Sequence, residues 1–230
     1  MFRTMRLINN QAHNIAFTDE VIAEHFNNGK NCTNEILHQF GVGRIYDGLV
    51  TSEDRVILDI GANIGLFALH VSPYARRLCC VEPTPCHFNL MKKLTAGVKE
   101  IECLEAALSR HSGEVDFYEF GTNTTMNTLF SRDGSPVAFR VKSYSLVDLL
   151  SYFKLDHVDF CKIDIEGSEI LALDESVIGS VSGVVKKFFI EFHEYMGVSY
   201  TQSRELYKSY FEKYGYKVEY RSVDALYCYR

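Results

Sequence analysis

Val56-Ile57-Leu58-Asp59-Ile60-Gly61-Ala62-Asn63-Ile64-Gly65 is the stretch on which the reading of the chain turns. Its first half is a short β-branched run, the composition of a buried strand. Its second half is a glycine turn, and Leu66 to Val71 then reads as a helix that Pro73 stops. Gly61 permits the tight turn and lets a ligand approach the backbone, while Gly65 allows close helix–sheet packing. The spacing is G-x-x-x-G with Asp59 two residues ahead of the first glycine. It is not the G-x-G-x-x-G loop that cradles a pyrophosphate. A carboxylate at that point suits a cationic amino group better than a phosphate.

The same alternation continues on both sides of this turn. Leu78 to Val81 reads as a second strand, and Pro83 and Pro85 sit where a helix running through Leu94 begins. Ile101 to Leu104 is a third strand. Glu114 to Phe120 and Phe139 to Tyr144 alternate like exposed or edge strands around a polar loop, Gly121 to Ser135. Ser145-Leu-Val-Asp148 resembles a capping box that opens a helix to about Phe153. Val158 to Ile163 and Val184 to Phe192 are the fourth and fifth strands, separated by a loop at Asp164 to Ser168 and a helix at Glu169 to Leu173. Ser203 to Tyr214 is an amphipathic helix that stops at Gly215. Tyr216 to Tyr220 and Ala225 to Tyr229 then form a terminal hairpin. This pattern predicts an α/β fold with a mostly parallel sheet and helices on both faces. Ligands in such folds bind outside the carboxyl ends of the strands.

Residues 1–50 differ. They are rich in Asn and His, with a helix expected near Thr33 to Phe40 capped by Thr33. They are read as an N-terminal appendage on a domain spanning 51–230. Their expected use is as an acceptor lid or an oligomer contact, such as that of a homodimer.

The 230 residues suffice for one domain with its own core. There are 24 Lys+Arg against 30 Asp+Glu, a net charge of −6, which argues against a duplex nucleic-acid binder. The seven cysteines are odd in number and scattered, with no C-x-x-C pair, so zinc-ribbon and thioredoxin readings lack support. They read as reduced thiols of a soluble cytoplasmic protein. No stretch approaches the ~18 apolar residues of a membrane span, so no membrane partner is expected.

Several polar residues fall at predicted strand ends. Glu82 ends the second strand, 23 residues after Asp59, where a carboxylate can accept from both ribose hydroxyls. Glu105 follows the third strand and is placed to accept from an adenine amino group, with Ala106 and Ala107 leaving room for the ring. Asp164 ends the fourth strand. His193 ends the fifth, and a histidine of near-neutral pKa suits proton removal from an acceptor. Glu191 has the same strand parity as His193 and is expected either to orient the imidazole or to bind the acceptor with it. Glu169 reads as an acid in the first turn of a helix rather than a catalytic group. Asp164, Glu191 and His193 also offer mixed ligation for a divalent cation, but no spacing demands one, and no metal ligand is assigned. The loop from Gly121 to Leu129 and the aromatic residues from Tyr195 to Tyr220 read mainly as solvated loop and packing.

The segments Asp59 to Gly65, Val81-Glu82-Pro83, Glu105 to Ser109 with Gly113, Lys142 to Leu150, Lys162-Ile-Asp-Ile-Glu-Gly-Ser-Glu169, Ile190 to His193 and Tyr214-Gly-Tyr216 resemble the FkbM-type family of class I S-adenosylmethionine-dependent methyltransferases. The resemblance covers about residues 50–230, and the Asp164 to Glu169 segment is its specific part. It implies a Rossmann-like, seven-stranded sheet with an antiparallel last strand and S-adenosyl-L-methionine as methyl donor. Donor binding falls to Asp59, Gly61, Ala62, Asn63, Gly65, Glu82, Pro83, Glu105, Ala106 and Asp164. Catalysis falls to His193, Asp164 and Glu191. The family is associated with O-methylation, so the expected partner is a small-molecule or glycan hydroxyl. The alternatives are a non-catalytic binding module on this fold, or a protein or nucleic-acid methyltransferase. The intact glycine loop and Glu82 count against the first. The acidic charge and the lack of an Asn/Asp-Pro-Pro-Tyr motif count against the second.

Overall fold

Val56–Ile60 lies inside a seven-stranded sheet, with two strands on one side and four on the other. The computed structural model describes residues 4–9, 14–18, 46, 48–118, 129, 136–194 and 197–230. In chain order the strands are Thr4–Asn9 (β1), Asn14–Thr18 (β2), Val56–Ile60 (β3), Arg77–Val81 (β4), Ile101–Leu104 (β5), Ala107–Leu108 (β6), Gly113–Phe117 (β7), Phe139–Tyr144 (β8), Phe160–Ile163 (β9), Lys187–Glu191 (β10), Lys217–Tyr220 (β11) and Ala225–Tyr229 (β12). The helices are Leu66–Val71 (α1), Pro85–Thr95 (α2), Leu146–Tyr152 (α3), Glu169–Ala172 (α4), Glu175–Val181 (α5) and Tyr200–Lys213 (α6).

The large sheet has the order β11-β12-β10-β9-β3-β4-β5. The five strands from β10 to β5 run parallel, and β12 inserts antiparallel between β10 and β11. The expected antiparallel strand is therefore β12. A second, three-stranded sheet of order β6-β8-β7 gathers the segments read as edge strands, together with the two-residue β6. β1 and β2 pair antiparallel with each other. The helix expected at Thr33 to Phe40 and most of the Gly121 to Ser135 loop lie outside the described residues.

Strand alternation divides the core in two. Leu58, Ile60, Cys79, Val81, Cys161, Ile163, Phe188 and Ile190 face one side, where α3, α5 and α6 add Leu149, Leu150, Ile178, Tyr207 and Phe211. Ile57, Leu78, Cys80, Phe160 and Phe189 face the other, where α1 and α2 add Phe67, Ala68, Phe88 and Met91. Tyr46 and Leu49 are buried in this second cluster, so the end of the first fifty residues is part of the core. Tyr46 packs its ring 4.9 Å from that of Phe67 and 5.4 Å from that of Phe189.

The helix ends follow capping chemistry. Ser145 accepts from the Asp148 backbone N–H, as its spacing predicts. Ser199 and Gln202 form a reciprocal capping box that starts α6 three residues before the expected Ser203. Asp174 caps α5, a helix absent from the sequence reading, by accepting from Val177 N–H. The Tyr207 hydroxyl, fully buried on α6, lies 2.8 Å from the carbonyl oxygen of Glu169 and 2.6 Å from that of Leu173. It thereby ties α6 to both ends of α4, the short helix that carries part of the site. Tyr207→Phe leaves both carbonyls without this donor and should cost about 1–3 kcal/mol. Thermal melting should register this as a fall of about 2–4 °C per kcal/mol; an unchanged melting temperature excludes the anchoring role.

Candidate active site

On the α1/α2 side of the sheet, each central strand changes character at its carboxyl end. Ile57 is followed by Asp59, Cys80 by Glu82, Phe160 by Lys162 and Asp164, and Phe189 by Glu191 and His193. All lie two residues apart and so share one face. Register sets them side by side, because Asp59 pairs with both Cys80 and Lys162, and Lys162 with Phe189. One rim of the sheet therefore collects four acids, a lysine and a histidine.

The loop after β3 is held by its neighbours. Gly61 and Ala62 N–H donate to the Val81 carbonyl at 2.9 and 3.0 Å. Gly61 has φ +77°, and a Cβ there would overlap the backbone carbonyl oxygen of Asp164, so only glycine fits. Gly65, with φ +84°, packs on α2, where a Cβ would lie 2.8 Å from Met91 Cγ. Asn63 takes a left-handed conformation, φ 51°, which points its N–H at Glu82 Oε2, 2.8 Å away. Glu82 Oε1 accepts from Thr84 N–H at 2.8 Å and lies 3.6 Å from His87 Nδ1. Burial pushes the Glu82 carboxyl up, but His87 and the Thr84 contacts outweigh it and hold the group below its usual range. Glu82 is thus an ionised carboxylate, fixed by its neighbours at both oxygens.

These groups line a cleft. Gly61, Asn63, Glu82, Pro83 and Asp164 form one part of it, and Ala106, Ala107 and Phe117 an apolar wall. Asp59 is completely buried, and neither carboxylate oxygen accepts a hydrogen bond. Burial pushes its pKa up to about 6, against the pull of Lys162, whose Nζ is 3.6 Å away. A buried carboxylate without donors fits a cationic ligand group. Glu105, expected to meet an adenine, is exposed and does not line this cleft. β5 ends one residue earlier, and the chain turns its next side chain to solvent while Ala106 faces in.

Beyond Asp164 the rim becomes a cage around His193. Its Nδ1 lies 3.3 Å from Glu169 Oε1, and its Nε2 3.3 Å from Glu166 Oε2 and 4.0 Å from Asp164 Oδ1. Glu169 is 2% exposed and accepts from Ile165 N–H at 2.9 Å and Gly167 N–H at 3.0 Å. It is a buried anchor for the imidazole, not a solvated first-turn acid. The orienting contact expected of Glu191 is made by Glu169 instead. Glu191 keeps one buried oxygen without a hydrogen bond. Glu166 sits in a left-handed conformation, φ 56°, unfavourable for a glutamate and found where a site holds its backbone in place.

Charge is crowded here. Burial opposes protonation of His193, but Glu169, Glu166 and Asp164 outweigh it and raise the imidazole to about 11. Burial and Asp164 push Glu191 up to about 8. Burial, Asp164, Glu169 and Glu191 push Glu166 well above the carboxylate range. The crowded acids thus favour taking up protons at Glu166, Glu191 and His193. Among the described residues, Asp164, Glu166 and His193 are the group able to hold a divalent ion, with one ligand atom each and all within 4.8 Å of one another. Glu166 stands there in place of the Glu191 named from sequence.

The fold is that of the class I S-adenosylmethionine-dependent methyltransferases. The family model described as the methyltransferase FkbM domain matches residues 59–218, and the chain belongs to that family. A solved FkbM methyltransferase from Methylobacillus flagellatus KT superposes with a TM-score of 0.53 at 18% identity, over 80% of this chain and 46% of that one. The AMB antimetabolite synthetase AmbE of Pseudomonas aeruginosa is 23% identical over 85% of this chain, which spans only 11% of that protein's length. Among the described residues, no helix is long and apolar enough to cross a membrane.

The cage makes His193 an imidazolium in the donor-free protein at neutral pH. Nitrogen NMR of the labelled ring at pH 8 should show both ring nitrogens protonated, and Glu169→Gln should move the midpoint down toward neutrality. A midpoint near 6.5 in the unaltered protein, the ordinary value for histidine, excludes the cage's effect.

Proposed function

We propose that the chain transfers the methyl group of S-adenosylmethionine to a hydroxyl oxygen of a small molecule or glycan. The observation that carries this reading is the single rim on which the cleft at Gly61, Asn63 and Glu82, with Asp59 buried beneath it, runs into the His193 cage through Asp164. The bound donor supplies an electrophilic methyl group on a positively charged sulfur. Glu82, an ionised carboxylate on the cleft wall, is the acceptor for the ribose hydroxyls. Asp59, buried and without hydrogen-bond donors, is the counter-charge for the methionine amino group. Ala106 and Phe117 offer an apolar wall to the adenine.

At the acceptor end, Glu169 holds the imidazole so that Nε2 faces the cleft side of the cage. The hydroxyl proton passes to Nε2 as the oxygen–carbon bond forms and the carbon–sulfur bond breaks. Nε2 must first lose the proton it holds in the donor-free site. Positive charge entering beside Asp164, Glu166 and Glu191 weakens the carboxylates' hold on that proton and prepares the base. The similarity to a segment of an antimetabolite synthetase supports a small-molecule acceptor. In this reading residues 51–230 carry the chemistry, and the residues before them cover the acceptor or pair two subunits.

Calorimetry with S-adenosylmethionine tests the donor half. Binding should release protons, because Glu191 near 8 is largely protonated at pH 7 and a nearby cation lowers it. Comparing buffers of different ionisation enthalpy measures this release, which should be smaller for the demethylated product, which lacks the sulfonium charge. Glu82→Gln should weaken binding by about tenfold or more. No binding at millimolar donor overturns the reading.

The acceptor half is tested by isotopic methyl transfer to a panel of sugars, polyols and other alcohols. His193→Ala should bind donor normally but turn over about 100-fold or more slowly. Unchanged turnover removes His193 as the base. Turnover abolished by a chelator and restored by magnesium would assign Asp164, Glu166 and His193 to a metal instead.

A further inference from the structure

Lys162 is the buried charge that this chemistry leaves unused. Its side chain is almost wholly enclosed, and an ammonium in such surroundings is costly unless its partners offset the loss of water. Nζ donates to Asp164 Oδ2 at 3.1 Å and to the Gly61 carbonyl oxygen at 3.3 Å, and lies 3.6 Å from Asp59 Oδ1. The Phe67 ring, its centroid 6.0 Å away, faces the same ammonium. A single group thus touches the loop leaving β3, the loop leaving β9 and the carboxylate that precedes the first of them.

The sheet itself does not require such a pair. One step back along the same face, Ile57 and Phe160 fill the corresponding cross-strand positions with apolar atoms. Replacing a buried ion pair by apolar groups is often neutral or stabilising. An apolar pair cannot, however, hold the Gly61 carbonyl against Asp164, nor favour the charged form of Asp59. Asp59 has no other cation within ion-pair distance among the described residues, and no hydrogen-bond donor at either oxygen.

We propose that Lys162 is the positioning residue of the donor cleft, clamping Gly61 to Asp164 and holding Asp59 as a carboxylate for the donor's cationic amino group. The inference rests on the methyl-donor reading above. The groups facing this centre are Asp59 on β3, Glu82 after β4, Asp164 after β9, Glu191 at the end of β10, and Tyr46. Burial opposes the charge on Lys162, and Asp164, Tyr46, Asp59 and Glu191 more than offset it, so the lysine stays charged throughout the accessible range. Burial already lifts Asp59 to about 6 with Lys162 present. Removing the lysine lifts Asp59 further, so less of it is charged at pH 7. That charge returns as the pH rises.

The test is calorimetric titration of S-adenosylmethionine and of its demethylated product, which shares the amino group, from pH 6.5 to 8.5. The proteins are the unaltered chain, Lys162→Met and Lys162→Arg. Lys162→Met should bind both ligands about tenfold or more weakly at pH 7, with the deficit shrinking toward pH 8.5. Lys162→Arg should recover part of the affinity and the flatter profile. Lys162 also pulls Glu191 down, so Asp59→Asn is measured with and without the lysine; in that background the pH-dependent part of the deficit should vanish, and its persistence assigns the effect to Glu191 and overturns the proposal. An affinity ratio to the unaltered chain near one, or a deficit independent of pH, overturns the proposal. If Lys162→Met does not fold, Lys162→Gln carries the same expectation, because it keeps a donor for Gly61 and drops the charge. Failure of both to fold makes Lys162 a structural counter-ion and also overturns it. Loss of donor binding by the unaltered chain would instead overturn the methyl-donor reading.

Discussion

The loops leaving β3 and β9 meet at Gly61 and Asp164 with no room for a methyl group between them. The rest of the site depends on that closeness. It lets the Asp164 backbone N–H donate to Ile60, continuing the β3–β9 ladder past the end of the strands. It also brings the Asp164 side chain within reach of Lys162, and thereby of the glycine loop leaving β3. A glycine is needed here for its volume as well as for its positive φ. The cost is a turn that tolerates no other residue. The gain is a cleft whose two walls cannot drift apart.

Charge is the second constraint. The rim gathers Asp59, Glu82, Asp164, Glu166, Glu169 and Glu191 around Lys162 and His193. Coulomb repulsion among so many half-buried carboxylates is tolerable only with protons, with the two internal cations, or with a cationic ligand. Each acid is handled differently. Glu82 is held as an anion by His87 and the Thr84 contacts, Glu169 is fixed by two backbone N–H groups, Asp59 is paired with a lysine, and Glu191 and Glu166 take up protons. The same residue types thus serve as fixed acceptors, a counter-charge and a proton store, according to what lies within hydrogen-bond distance.

The parallel sheet, its order of elements and the donor loop were legible because strand periodicity and glycine spacing are local signals. Parity placed Glu191 and His193 on one face, and the same arithmetic extends to Asp59, Glu82, Lys162 and Asp164. Lys162 carried a further signal, a charge inside the run Phe160-Cys-Lys-Ile163, which a strand buried on both faces can hold only with a partner. The Ser199–Gln202 box also had a readable spacing. Other features were hidden for physical reasons. Glu169 looks like any first-turn acid until α6 buries it through Tyr207. Glu105 follows a strand whose end the sequence places correctly, but the turn of the chain after Leu104, which sends its side chain to solvent, has no local signal. Tyr46 belongs to a segment without periodicity, and only packing against Phe67 and Phe189 makes it core.

The placement of β12 sets an order on the birth of the sheet. This strand, Ala225–Tyr229, fills the gap between β10 and β11, with Leu226 and Cys228 wholly enclosed. As the chain leaves the ribosome, β10 has an open hydrogen-bonding edge, and β11 has no neighbour, until residues 225–229 appear. The parallel core from β5 to β10 can assemble earlier, but its flank stays unsealed through the synthesis of α6 and β11. An open strand edge is a template for wrong pairing, with another nascent chain as readily as with its own. The fourteen residues of α6 emerge during that interval and can cover the α5 face before the edge closes.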